Sequence, residues 1–388
     1  MSEVTVLNVA GSVPGVLHLA PLIFEMKNRR GIRPVFVRAS RNQDALLYET
    51  FFRDIHLPDP DIQVDAVAAS PVRQAAAMMQ NLEGILLDVE PDAVLLAGSE
   101  NTDTFAGLAA VKLGFPLVHV DSGIRGGETP EEIDGIVTDS VSDLLFVGER
   151  QATANLVREG RPPEKIFFVG NVAIDSMVMN FERIVASTCV ERLGLRSKGY
   201  AVLTLQHLST LTGKERAVRL AAALNELQRW VRIIFVPHPR TTARLRQTAS
   251  LKPFESISNL RRIDPLGYID FIKLLRDSLF VVTDSGGVEE ESTALKIPCL
   301  TLSSTTSHPV TVKQGSNRLV GADSRLLVEE AMKIIGGEAA PARHPEKWDG
   351  LASKRIVDVL LDWRERFKHL HADVRDRMTW PERPGRVA

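Results

Sequence analysis

Short apolar runs alternate with amphipathic segments along most of this chain, and that alternation narrows the fold more than any other feature. Val4–Ala10, Arg33–Arg38, Ala93–Ala97, Leu117–Val120 and Leu144–Val147 have strand length and read as buried strands. Val16–Lys27, Ser70–Leu87 and Thr104–Leu113 carry helical periodicity between them. Strand–helix alternation of this kind implies a mainly parallel sheet covered by helices on both faces. After Gly170 the pattern restarts, with strand-like Ala201–Leu205, Arg232–Pro237, Leu279–Thr283 and Cys299–Leu302. Helices fit Lys214–Gln228, Tyr268–Arg276, Val288–Leu295 and Ser324–Ile335. A chain of 388 residues is long for one hydrophobic core. The expectation is an α/β protein of two Rossmann-like domains facing a central cleft, residues 1–175 and 176–388. Their boundary falls near Asn171–Ser187, and Ala352–His369 is a final helix packing back on the first domain.

Composition matters chiefly for what it excludes. A formal net charge of -2 gives no global attraction to nucleic acid or an anionic membrane, so any phosphate site must be local. No stretch approaches the length of a membrane span, and no charged region leads into a long apolar run at the start. The two cysteines, Cys189 and Cys299, cannot make a zinc site and read as buried free thiols of a reducing compartment. A cytoplasmic protein without metal or cofactor is expected.

The strongest local signal is Thr283-Asp284-Ser285-Gly286-Gly287, which ends a strand and opens a helix. Glycines let a ligand approach the backbone there, and unpaired N–H groups of the first turn suit a diphosphate. Glu289, Glu290 and Glu291 follow; acids favour a helix N-terminus for electrostatic reasons alone, while one of them can accept hydrogen bonds from a ribose diol. Gly11–Gly15 and Gly98–Thr102 are further turns after strands, without the dinucleotide fingerprint. His119-Val120-Asp121-Ser122-Gly123-Ile124-Arg125 leaves another strand end, followed by Pro130-Glu131-Glu132. Glu131 and Glu132 suit helix capping; alternatively Asp121 and Glu131 form a general acid–base pair in one cleft. Val236-Pro237-His238-Pro239-Arg240-Thr241 is a rigid cationic strand end suited to phosphate, although a lone histidine is more often structural.

Taken in order, these segments resemble the non-hydrolysing UDP-N-acetylglucosamine 2-epimerases, from Val4 to about Val357. The likeness includes Ala20-Pro21-Leu22, Phe51-Phe52 with Leu57-Pro58, His119-Val120-Asp121 and Pro130-Glu131-Glu132-Ile133. It continues through Val169-Gly170-Asn171 with Asp175, His238-Pro239-Arg240-Thr241, Gly267-Tyr268 with Phe271, Thr283–Glu291 and Gly315-Ser316-Asn317. The resemblance implies a GT-B-like pair of domains, usually as a homodimer, with a UDP-sugar in the cleft and UDP held mainly by the second domain. Members of the family eliminate UDP across C1–C2 and add it back on the other C2 face. By matching position, Ser285, Gly286 and Gly287 would hold phosphate and Glu291 the ribose. His238 and Phe271 would flank the nucleotide, while Asp121 and Glu131 stand at catalytic carboxylates.

Departures from the family pattern are equally specific. Val13 and His18 replace an arginine and a lysine, and Ser99 replaces a catalytic aspartate. Gln206, His207 and Ser209-Thr210 replace a histidine, an arginine and a Glu-Asn pair, and Thr306-Ser307-His308-Pro309-Val310 replaces Thr-Glu-Arg-Pro-Glu. Each lost acid, base or cation commonly costs a rate factor of about 10²–10⁴. His18 and His308 are expected to be neutral near pH 7 unless an anion raises their pKa. Three functions fit this pattern: a nucleotide-sugar 2-epimerase with altered chemistry or substrate, a GT-B glycosyltransferase using a UDP-sugar, and a UDP-sugar-binding protein without turnover.

Overall fold

The computed structural model describes residues 3–40, 54–55, 57–65, 70–98, 100–126, 130–206, 214–237, 241, 252–339 and 341–377; for Val13, Ser40, Pro130, Glu131, Lys214 and 368–377 it describes the backbone alone. The first half of the chain builds a parallel sheet from β1 (Val4–Ala10), β2 (Ile32–Ser40), β3 (Ile62–Asp65), β4 (Ala93–Ala97), β5 (Leu117–Val120), β6 (Leu144–Val147) and β7 (Ile166–Phe168). Its strand order is β3-β2-β1-β4-β5-β6-β7. The second sheet, also parallel, consists of β8 (Tyr200–Thr204), β9 (Arg232–Phe235), β10 (Leu260–Arg262), β11 (Phe280–Thr283), β12 (Cys299–Thr301) and β13 (Asn317–Leu319). Its order is β10-β9-β8-β11-β12-β13.

Strand order therefore reverses between β1 and β4 in one sheet and between β8 and β11 in the other. Crossovers leave opposite faces on either side of such a point, which opens a crevice beyond the strand carboxyl ends. The central strands were legible because both of their faces are buried: β4 and β5 are solidly buried throughout. The sequence reading left β3, β7, β10 and β13 unassigned. They are three or four residues long, and in β3 and β10 most positions are at least partly exposed, so sheet pairing sustains them rather than a local pattern.

Helix α1 (Val13–Lys27) starts where Ser12 Oγ accepts from the Gly15 N–H at 3.1 Å, and it buries Val16, Leu19, Ile23 and Met26 at helical spacing. The last helix, Ala352–Arg377, runs past the expected end at His369, since no Gly or Pro interrupts it before Pro381. It packs on α1 and β7, with Trp363 edge-on to Phe167 at 6.2 Å and Ile356, Leu360 and Phe367 buried. Asp175 caps it by accepting from the Ala352 N–H at 3.1 Å and from the Ser353 N–H and Oγ, each at 2.6 Å. Both cysteines are buried and free. No described helix is long and apolar enough to cross a membrane.

Candidate active site

The loop from β11 into the helix Gly286–Leu295 lies at the switch point of the second sheet. Thr283 Oγ1 accepts from the Ser285 N–H at 3.0 Å, and Ser285 Oγ donates to Gln206 Oε1 at 2.8 Å. The Gln206 N–H donates to Asp284 Oδ1 at 2.7 Å, which ties the end of β8 to the end of β11. A Cβ on Gly287 would meet nothing within 4 Å, so the backbone there faces open space. First-turn amides with free access and a favourable helix dipole suit an anion.

Glu289, Glu290 and Glu291 are all buried, which a surface dipole role does not require. Each turns to a different neighbour. Glu289 accepts from Thr306 Oγ1. Glu290 Oε1 accepts from Asn171 Nδ2, which belongs to the first half, and lies 3.1 Å from His308 Nδ1. Glu291 sits beside the buried Tyr268. Burial pushes Glu290 up to about 8, against the pull of His308, and pushes Glu291 up to about 8, with help from Glu290. Burial likewise raises Glu149, which follows β6 and whose Oε2 accepts from the Val310 N–H at 3.4 Å.

Burial alone would lower the pKa of His308, but Glu290, Asp121, Glu149 and Glu289 together outweigh burial and raise it above the ordinary histidine value. Sequence alone could not show four acids around this ring. His18 follows the expectation: burial lowers its pKa, and its Nδ1 is buried with no hydrogen-bond partner among the described residues.

On the first-half side, Asp121 leaves β5 in the left-handed region, at φ 64°, a conformation aspartate tolerates better than most residues. A buried network fixes the turn around it. His119 Nδ1 lies 2.7 Å from Asp139 Oδ1 and Nε2 lies 3.0 Å from the Gly98 carbonyl oxygen. Asp139 Oδ2 accepts from Arg125 Nη2 at 2.7 Å and from the Gly123 N–H at 3.0 Å. Arg125 also makes a two-pronged pair with Glu159, at 2.9 and 2.8 Å. Both imidazole nitrogens face oxygen atoms, and although burial would lower the His119 pKa, Asp139 and the Gly98 carbonyl prevail and raise it. Burial would raise Asp139, yet His119 and Arg125 hold it below the usual carboxylate range. At the switch point of this sheet, Asp103 Oδ1 accepts from the Gly11 N–H at 3.2 Å and braces the β1 turn against the β4 turn.

The two halves meet closely here. A Cβ on Gly126 would fall 2.4 Å from Ser307 Cα, so the 123–126 turn and the 306–308 segment touch backbone to backbone. Asp121 thereby comes near enough to Glu149, Glu290 and His308 to shift their proton affinity. Ser285, Gly286 and Gly287 stand at the adjoining helix start, while Phe271 is half-buried against the core. Glu131 lies in the helix Pro130–Val141, but its side chain is outside the described residues, as are His238, Arg240, Ser99, His207, Ser209 and Thr210. Sequence reasoning missed Glu149 and Asp103; an acid immediately beyond a strand end is the signal that would have found Glu149. No cluster of metal-ligating side chains occurs among the described residues.

Two parallel sheets, each presenting its switch-point loops to one shared cleft, define the GT-B-like class of proteins. The sequence profile of UDP-N-acetylglucosamine 2-epimerase matches residues 25–361, and the chain belongs to that family. The UDP-N-acetylglucosamine 2-epimerase of Methanocaldococcus jannaschii is 31% identical over 91% of this chain and 97% of its own. The UDP-2,3-diacetamido-2,3-dideoxy-D-glucuronate 2-epimerase of Pseudomonas aeruginosa is 33% identical over 92% of this chain and 99% of its own. The crystal structure of the M. jannaschii enzyme with UDP-GlcNAc and UDP superposes with a TM-score of 0.83 at 30% identity, covering 92% of this chain and 99% of that one.

Proposed function

We propose that this chain is a UDP-sugar enzyme of the 2-epimerase type that works with an altered acid–base set. Residues 1–175 form the sugar side of the cleft and residues 176–388 the nucleotide side. The observation that carries this reading is the meeting of Asp121, Glu149, Glu290 and His308 beside the open helix start at Gly286. The anion end of a UDP-sugar lies at Ser285-Gly286-Gly287, with Glu291, Phe271, His238 and Arg240 on the nucleoside and phosphate. The sugar points toward Asp121 and Glu131, the candidate general acid and base for the C2 proton. Gln206 is held by Ser285 and Asp284 and has no basic group, so it does not replace a lost base.

Incubation in D₂O with UDP-N-acetylglucosamine, and separately with UDP-2,3-diacetamido-2,3-dideoxy-D-glucuronate, tests the reading. Deuterium is expected at C2 of at least one, with turnover of UDP-N-acetylglucosamine below about 1 s⁻¹. Glu131→Gln should remove the exchange and leave UDP affinity nearly unchanged, since an acid–base group acts chiefly in the transition state. UDP release that appears only with an acceptor would make the chain a transferase. Tight binding with neither exchange nor release would make it a binding protein.

A further inference from the structure

His308 replaces an arginine of the family pattern, and its surroundings give it a defined task. Its side chain is only 11% exposed, and Nδ1 is engaged by Glu290 Oε1 at 3.1 Å. Nε2 has no hydrogen-bond partner among the described residues. It lies 3.4 Å from where a Cβ on Gly286 would stand, so the free edge of the ring borders the first turn of the helix Gly286–Leu295. Two features thus converge on one small volume: the first-turn amides of that helix, and the edge of an imidazole whose other nitrogen is already taken by Glu290.

The mount of the ring is rigid. The His308 N–H donates to Thr306 Oγ1 at 3.0 Å, and that hydroxyl donates to Glu289. The His308 carbonyl oxygen accepts from the Thr311 N–H at 2.9 Å and from Thr311 Oγ1 at 2.8 Å. Glu290 is held in turn by Asn171 from the other half. The charged or titratable groups facing the ring are Glu289 and Glu290 on the helix, Asp121 and Glu149 from the first half, and His18 on α1.

Building on the UDP-sugar reading, we propose that His308 Nε2–H donates a charge-assisted hydrogen bond to a diphosphate oxygen at the Gly286 helix start, with Glu290 holding the ring's other nitrogen. The imidazolium supplies the cation that an arginine supplies elsewhere in the family, and unlike arginine it does so only while protonated. Glu290 acts as a positioning residue, and its link to Asn171 ties ring placement to the meeting of the two halves.

Binding of UDP-N-acetylglucosamine, whose diphosphate oxygens do not titrate near neutral pH, and of uridine tests this by calorimetry as a function of pH. For the wild-type chain, affinity for UDP-N-acetylglucosamine should fall as pH rises through the histidine's range, while uridine affinity stays level. His308→Ala should weaken UDP-N-acetylglucosamine by about 10- to 100-fold at low pH, the size expected for one charge-assisted bond, and flatten the profile without altering uridine binding. His308→Arg should restore affinity and abolish the pH dependence, which also guards against a folding defect in the alanine variant. Glu290→Gln should shift the pH midpoint downward. Equal affinity and an equal pH profile in wild type and His308→Ala would overturn the role of His308 and leave the UDP-sugar reading standing. Failure of the wild-type chain to bind UDP-N-acetylglucosamine while it binds no uridine either would overturn both.

Discussion

Replacing Asp139 by Asn isolates the buried network that holds the Asp121 turn. The Asp139 side chain is 1% exposed and takes three donors: His119 Nδ1 at 2.7 Å, Arg125 Nη2 at 2.7 Å and the Gly123 N–H at 3.0 Å. Asparagine is nearly isosteric, but it presents one acceptor oxygen and places an NH₂ against donors. Breaking a buried ion pair by removing one partner typically costs about 3–5 kcal/mol, because a charge is left without compensation. Two escapes soften the loss here. Arg125 keeps Glu159, and His119 can give up its proton. The low end, about 3 kcal/mol, is therefore expected. In a cooperative unit of 150–250 residues that corresponds to a melting temperature lower by roughly 6–12 °C. Scanning calorimetry of Asp139→Asn, His119→Gln and the double variant measures both the loss and the coupling. A loss under about 1 kcal/mol, the size of a surface pair, would refute the reasoning, as would coupling between the two sites below about 0.5 kcal/mol.

Two further outcomes follow from the cleft. Glu291 has a pKa raised to about 8 by burial, so the folded state holds its proton more tightly than the unfolded chain does. Its contribution to stability is complete below the ordinary carboxylate range and is lost as pH rises through about 8; the melting temperature should fall from pH 6 to pH 9, and Glu291→Gln should remove part of that fall. An unchanged slope in the variant would assign the pH effect to other groups. Gly126→Ala places a methyl group 2.4 Å from Ser307 Cα, where only backbone can give way. It should weaken UDP-N-acetylglucosamine binding at least several-fold by prising the halves apart, with both sheets intact by circular dichroism; unaltered affinity would show that the contact does not govern closure.

Much of the scaffold was legible beforehand. β1, β4, β5 and β6 coincide with the expected runs, because a strand buried on both faces is apolar at most of its positions. Helix Ser324–Ile335 was equally plain from its periodicity, and the structure adds an Asp323 cap whose Oδ1 accepts from the Arg325 and Leu326 N–H groups. The Gly286 helix start was visible too, since glycines after a strand leave a local signature. Edge strands such as β10 were not, because their stability comes from pairing with a neighbour distant in sequence.

What sequence by itself determined is therefore whatever depends on near neighbours: strand and helix periods, the turn after β11, and the ordered motifs that place the chain in its family. Tertiary structure decided the chemistry. Glu290 and His308 are 18 positions apart in one half, whereas Asp121, Glu149 and Asn171 come from the other, and they meet only because the two sheets present their strand ends to one cleft. Whether His308 carries a proton depends on the balance between desolvation and the fields of those acids. Both scale with distance and burial in the folded molecule, quantities that do not exist along an extended chain.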